Sequence, residues 1–289
     1  MNTFESQVTA DGSHTFYSPQ FDENLHSKYG AKTESEVIYL QGCRLPEKIS
    51  QQSTIKIIDI CYGLGYNSAT TIEYFLQKKQ NSQCKLQIKA LELDDTVPQQ
   101  ALEQGLLREW STSTQDILKQ LSQQKQVTTL QLDLELLIGD ARQTIQKLVN
   151  NDFQADAIFL DPFSPPKCPQ LWTVEFLQLV ARCLQPRGII ATYSCSASIR
   201  TALKLANLAI GSNYGVGKKV PGTIASYKYQ PLPNLGQMEL EHLQTRASVP
   251  FRDPYLNDCA NNIKLRREKE QCLSKLESTS QWKKRWLKV

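Results

Sequence analysis

Residues 55–61 (IKIIDIC), followed at once by Tyr62-Gly63-Leu64-Gly65-Tyr66-Asn67, constrain the fold of this chain more than any other stretch. The run is short, rich in β-branched residues and nearly continuous. That is the pattern of a strand covered on both faces of a parallel sheet. The glycine loop then gives way to a helix over 68–77. Strand and helix continue to alternate: strands over 86–93, 132–138, 155–160 and 188–193, and helices over 96–110, 141–149, 170–184 and 197–208. Pro98 is tolerated because it falls in a first helical turn. This alternation predicts an α/β fold, a parallel sheet with helices on both faces. Two further β-like pieces, 213–216 and 223–229, flank a Lys/Pro/Gly turn and read as a terminal hairpin.

Around this core the pattern is weaker. Residues 15–18 and 37–40 read as short strands, and 21–30 has helix-like polarity ending at Gly30. Residues 111–130, rich in Gln, Ser and Thr, read as an insertion that is helical over 116–121. Pro231 and Pro233 mark a boundary. The expected organisation is an N-terminal lead-in over 1–45, the α/β domain over 46–230 and a basic, partly helical C-terminal extension over 231–289.

Charge is uneven along the chain. Of its 33 Lys/Arg and 29 Asp/Glu residues, eleven basic and five acidic ones lie from position 246 onward. The stretch from position 246 therefore carries +6 and the rest of the chain −2, which points to an anionic partner, nucleic acid first. The eight cysteines form no CxxC pair and the three histidines are scattered, so neither a metal site nor a disulfide framework is expected. No apolar run reaches the roughly 18 residues of a membrane span. The polar N-terminus lacks a signal-peptide core, and a cytoplasmic protein is expected.

The chemistry-bearing residues sit at strand ends. Gly63 and Gly65 permit a tight turn and close backbone approach to a ligand at a helix N-terminus. Position 68 is serine, where a dinucleotide loop would carry its third glycine, so the loop suits a ligand without a pyrophosphate. Glu92 ends the second core strand about 30 residues later, where an acid commonly accepts ribose hydroxyls. Asp140 follows the third strand and fits either an adenine amino group or the N-cap of the next helix. Asp161 ends the fourth strand and opens a stiff loop, Pro162-Phe163-Ser164-Pro165-Pro166-Lys167. Ligands bind at this carboxyl edge of open α/β sheets.

Gly-x-Gly, Glu, Asp and Asp on four successive strand ends resemble the class I S-adenosylmethionine-dependent methyltransferases, which have a Rossmann-like sheet. More narrowly, the segments DAIFLDPFSPPKCPQLW, YGLGYN, TESEVIYL and GIIATYS are similar to the methyltransferase domain of the bacterial tRNA 5-methylaminomethyl-2-thiouridine biosynthesis family, over about residues 14–229. The resemblance implies S-adenosyl-L-methionine as cofactor and 5-aminomethyl(-2-thio)uridine at the tRNA wobble position as acceptor, reached through the anticodon loop. It implies that Gly63, Gly65 and Asn67 line the methionine portion, Glu92 the ribose and Asp140 the adenine. Asp161 would face the transferred methyl as catalytic residue, with Glu34 closing over the cofactor. Pro162 stands where some relatives have glycine, so the loop also resembles the DPP(Y/F/W)-type loops of amino-group methyltransferases, with Phe163 as a stacking surface. Longer relatives continue into a flavin-dependent oxidase domain that this chain is too short to hold, so a stand-alone form without FAD is expected. Two other readings fit less well. A polyamine aminopropyltransferase would need acids rather than a cationic extension, and a silent RNA-binding module would not need the acid set. Lys218 and Lys219 in the hairpin turn, Lys264, Arg266, Arg267 and Lys269 on a helix, and Lys283, Lys284 and Arg285 between Trp282 and Trp286 are the expected tRNA contacts.

Overall fold

The apolar runs become strands and the amphipathic segments between them become helices. The computed structural model describes residues 5–78, 84–217, 221–228 and 231–286. Ser6–Val8 (β1), His14–Ser18 (β2) and Glu23–Asn24 (β3) form a small antiparallel sheet. Ala31–Glu34 (α1) runs directly into a π-helical segment, Ser35–Gln41, and Leu45–Gln51 (α2) leads into the main sheet. There follow Thr54–Ile60 (β4), Tyr66–Lys78 (α3), Lys85–Glu92 (β5), Thr96–Glu103 (α4), Thr112–Gln124 (α5), Gln126–Thr128 (β6) and Leu132–Ile138 (β7). Next come Ala141–Asn150 (α6), Ala155–Leu160 (β8), Val174–Arg182 (α7), Leu184–Thr192 (β9), Ala197–Leu205 (α8), Ala209–Ser212 (β10) and Thr223–Ser226 (β11). Gln237–His242 (α9), Ala260–Leu273 (α10) and Thr279–Trp286 (α11) complete the described chain.

The eight-stranded sheet has the order β10-β11-β9-β8-β4-β5-β7-β6. Strands β9, β8, β4, β5 and β7 are mutually parallel, and β11 runs antiparallel between β9 and β10. From β4 the chain builds outward through β5 to β7, then returns to lay β8 on the other side of β4. This reversal opens a crevice at the carboxyl ends of β4 and β8, where such sheets bind ligands. One face packs against α2, α3, α5 and the π-helical segment; the other packs against α6, α7, α8 and part of the C-terminal segment.

Several expectations need correction at element level. Residues 37–40 are not a strand but lie inside the π-helical segment. That wide turn persists because Asn213 donates through Nδ2 to the Ile38 carbonyl (3.0 Å), and Gly42 has no Cβ to collide with the same oxygen. Residues 21–30 are turns around β3 rather than a helix. The supposed insertion over 111–130 is α5, capped by Ser111, followed by β6 as an antiparallel edge strand. The helix expected over 96–110 ends at Glu103, with Gly105 at φ +67° shortly after it. The hairpin exists, but its strands are β10 and β11, and Lys218 and Lys219 lie outside the described residues.

The C-terminal segment is fixed to the α/β unit. Val174 donates to the Phe251 carbonyl (3.0 Å), and Thr173 and Phe251 form an isolated parallel bridge. Arg200, almost wholly buried on α8, pairs with Glu239 at 2.6 Å. Ile263 is buried in the second core, and Trp282 stacks on His242 with ring centroids 4.3 Å apart.

Candidate active site

The end of β4 is where the backbone is most unusual. Cys61 adopts φ +66°, a left-handed conformation that favours glycine, and Gly63 and Gly65 follow at +56° and +84°. The twist lets Cys61 and Tyr62 both donate to the Leu91 carbonyl at 3.0 Å, locking the loop to the neighbouring strand β5. A side chain at Gly65 would meet the Tyr62 hydroxyl at 2.5 Å. The loop opens into a cavity of about 1090 Å³, lined among others by Gly63, Asn67, Glu92, Asp140, Asp161 and Phe163. Six residues named from the sequence thus line one cavity, whereas Gly65, named with them, does not.

Glu92, at the end of β5, is 9% exposed. Its Oε2 accepts from Gly63 N (2.7 Å), and its Oε1 from Leu93 N (2.8 Å) and Asp94 N (3.0 Å). Burial raises its pKa, and these three amides oppose that rise by favouring the charged form. A carboxylate has about four lone-pair sites, so about one remains for a ligand hydroxyl.

Asp161, at the end of β8, accepts from Asn67 Nδ2 at 3.0 Å. Burial pushes its pKa up to about 8. The polar contacts with Tyr39 and Asn67 pull it down, and the nearby acids Glu34 and Asp59 push it up. The Tyr39 hydroxyl and Asn67 Oδ1 are buried without hydrogen-bond partners. Behind them Asp59, fully buried on β4, accepts from Ser68 Oγ (2.7 Å) and is pushed up to about 7, chiefly by burial. Glu34 is buried and accepts from Ser27 N at 3.2 Å, but it is not part of the cavity wall.

The loop after Asp161 is latched to the N-terminal sheet. Phe163 stacks on Phe21 with centroids 4.3 Å apart and planes 18° off parallel, so one of its faces is already covered. Ser164 N donates to Glu23 Oε2 (2.9 Å), and Lys167 Nζ to Asp22 Oδ2 (2.7 Å). Tyr17 donates its hydroxyl to the other oxygen of Asp22 (2.6 Å). The lead-in therefore forms part of the cavity wall, with Phe21, Leu25 and His26 facing it. Burial drops the His26 imidazole to about 4, leaving it neutral near pH 7.

Asp140 caps α6, accepting from Arg142 N at 2.9 Å, as the cap reading expects. Its carboxylate is also gripped by the Arg142 guanidinium through Nε and Nη2, the latter at 2.7 Å. Arg142 in turn reaches Asp253 in the C-terminal segment. Sequence reasoning missed Arg142, Asp253, Phe21, Tyr39 and Asp59. Of these only Asp59 left a signal, an acid set within an apolar strand.

The extension's cations divide. Arg266 donates to Asp258 and the Arg252 carbonyl, and Arg267 to the carbonyls of Val249 and Ala247 while lying over the Phe251 ring. Arg285 pairs with Glu241 and Glu277. Among the described residues no helix is long and apolar enough to cross a membrane.

The family described as S-adenosyl-L-methionine-dependent methyltransferase matches residues 98–228. Fold and site together define a methyltransferase of that class, with S-adenosyl-L-methionine as cofactor and a Rossmann-like sheet. The crystal structure of MnmC2 from Aquifex aeolicus aligns with TM-score 0.82 and 31% identity, over 94% of this chain and 86% of that one. The bifunctional tRNA 5-methylaminomethyl-2-thiouridine biosynthesis protein MnmC of Polaromonas naphthalenivorans is 29% identical over 74% of this chain, and that of Acidovorax sp. is 26% identical over 77%. The chain spans only about a third of those proteins, 33% and 35% respectively. An uncharacterized protein of Methanocaldococcus jannaschii, MJ0670, is 27% identical over 86% of this chain and 67% of its own length. The chain belongs to the MnmC2 family, the methyltransferase portion of the MnmC proteins.

The residues present suit the cofactor. Glu92 offers a free acceptor site to a hydroxyl, Asn67 Oδ1 is a buried acceptor without a partner, and Gly63 presents bare backbone to the cavity.

Proposed function

We propose that this chain N-methylates 5-aminomethyl(-2-thio)uridine at the wobble position (U34) of tRNA, giving 5-methylaminomethyl(-2-thio)uridine. The observation that carries the reading is Asp161. It is a partly buried carboxyl on the cavity wall, held by Asn67 and with the further acids Glu34 and Asp59 near it. Such a site favours a small cationic or amine acceptor. The bifunctional relatives are named for the biosynthesis of this modified uridine.

In this reading Gly63, Gly65 and Asn67 line the methionine portion of the cofactor, Glu92 holds the ribose and Asp140 the adenine. S-adenosylmethionine, when bound, supplies a methyl group on a positively charged sulfur, a good leaving group that needs no acid. The protein's part is alignment and control of the amine's proton. Asp161, pushed up to about 8, carries a proton in the free site near pH 7. An entering ammonium group favours the ionised carboxylate, whose own proton leaves to solvent. Asp161 then takes the proton that the ammonium must lose to free its lone pair for attack. As the nitrogen–carbon bond forms, the carbon–sulfur bond of the donor breaks, leaving S-adenosylhomocysteine as a neutral thioether and the methylated product as a secondary ammonium. Phe163, backed by Phe21, offers its remaining face to the base. A wobble base lies in a loop and leaves its stack more cheaply than a duplex base. Lys218, Lys219, Lys264, Lys269, Lys283 and Lys284 would meet the anticodon-arm phosphates, and a tRNA partner fits a cytoplasmic protein.

The test is transfer of labelled methyl from S-adenosylmethionine to one tRNA prepared in two forms. Label should enter the form bearing 5-aminomethyl-2-thiouridine and not the form with unmodified uridine. Label in neither, from protein that binds the cofactor, overturns the substrate assignment.

A further inference from the structure

The basic extension invites assignment to tRNA alone. One of its acids is instead wired to the cofactor cavity. Asp253 is wholly buried. Its Oδ2 accepts from Arg142 Nη1 at 2.9 Å, and its Oδ1 accepts from the amides of Asn257 (3.2 Å) and Asp258 (3.1 Å). The Asp258 carbonyl accepts from the same Arg142 Nη1 at 2.9 Å. The segment carrying these acceptors is pinned from behind. Asp253 N and Arg252 Nε both donate to Glu175 on α7, at 2.8 and 2.7 Å.

Arg142 uses its remaining donors on Asp140. Nε spans both carboxylate oxygens at 3.2 and 3.1 Å, and Nη2 meets Oδ2 at 2.7 Å, while Arg142 N holds Oδ1 at 2.9 Å. Three N–H groups thus make four contacts with the carboxylate, two on each oxygen, the Nε–H being shared between them. Asp140 lines the cavity with its side chain 32% exposed, so its carboxylate lies within reach of a donor there. A guanidinium is planar and its fork is rigid. Fixing one edge of Arg142 on Asp253 and Asp258 therefore fixes the other edge, and with it the plane and charge of the Asp140 carboxylate.

We propose that Asp253 is a positioning residue for cofactor recognition: through Arg142 it orients Asp140 to accept the exocyclic amine of the adenine ring. This rests on the reading of Asp140 as the adenine acceptor. The C-terminal segment thereby becomes part of the cofactor site as well as a candidate RNA surface.

Calorimetry with two ligands tests it: S-adenosylhomocysteine and its 6-deamino analogue, which has hydrogen in place of the amine. The wild-type protein prefers the amino form. Asp253→Asn keeps the side-chain volume and an acceptor for the two amides but removes the charge. It should reduce the preference for the amino form by about fivefold to thirtyfold, a value inside the span of couplings within one hydrogen-bonded network. Affinity for the deamino ligand should stay within about twofold, since the rest of the site is intact. Asp253→Ala should do the same more strongly, and Asp140→Asn should remove most of the preference. Equal weakening of both ligands by Asp253→Asn assigns the residue to folding alone and overturns the proposal. So does an unchanged preference in Asp253→Asn when Asp140→Asn loses its own. If Asp140→Asn also keeps the preference, the adenine reading of Asp140 fails, and the proposal with it.

Discussion

Three backbone amides converge on Glu92, whereas Asp161 has one side-chain amide and acidic neighbours. The first arrangement holds a charge in place; the second keeps a carboxyl ready to exchange a proton. Glu92→Gln should therefore weaken cofactor binding by about 1.5–3 kcal/mol, through lost charge-assisted hydrogen bonds. An unchanged dissociation constant would remove Glu92 from the cofactor site. Asp161→Asn should abolish methyl transfer and leave cofactor affinity within about tenfold, since its interaction matters in the transition state. The same variant carries a stability signature. The folded pKa of Asp161 is raised from 3.8 to about 8, so its contribution to stability is fully present below pH 4 and is lost as pH rises toward 8. The amide of Asp161→Asn does not titrate and escapes that loss. The stability of the variant relative to wild type, followed by thermal melts, should rise between pH 5 and pH 8. A difference independent of pH would mean that Asp161 is already ionised in the free protein.

At the scale of elements, the sheet was legible because its signals are local. Buried parallel strands must be short apolar runs, and 132–138 and 155–160 match β7 and β8 end for end. Elements set by distant contacts were not legible. Residues 37–40 look like a strand, yet Asn213, far along the chain, stabilises the widened turn that makes them helical. Glu92, Asp140 and Asp161, read from the sequence at or just after strand ends, line the cavity with Gly63, whereas Gly65 and Glu34, which does not end a strand, do not. The latch could not be read, because Phe21 meets Phe163 and Glu23 meets Ser164 only after folding. That latch joins the lead-in to the loop that carries Asp161. Glu23→Ala should accelerate cofactor release in stopped-flow dissociation by about threefold to tenfold, the effect of losing a charge-assisted hydrogen bond at a partly exposed site. An unchanged release rate would make the lead-in a passive wall.

Across the whole molecule, the basic extension has two kinds of cation. Arg266, Arg267 and Arg285 are committed to carbonyls and carboxylates of the protein itself. Composition could not separate them from Lys283 and Lys284, because pairing depends on the packing of α9, α10 and α11. Substituting Lys283, Lys284 and Arg285 together with alanine should thus flatten the log–log salt dependence of tRNA binding by about two units rather than three. Identical affinity and slope would leave tRNA contact to the rest of the chain. In the function proposed above, every such contact would serve one event at the cavity, the meeting of a wobble-base amine with Asp161. The most direct measurement is nucleoside mass spectrometry of tRNA bearing 5-aminomethyl-2-thiouridine after incubation with S-adenosylmethionine and either wild-type protein or Asp161→Asn. Wild type should convert that nucleoside into its N-methylated form, and the variant, with cofactor bound, should leave it untouched. An unmethylated nucleoside with wild-type protein, or a methyl group found elsewhere in the tRNA, would contradict the assignment.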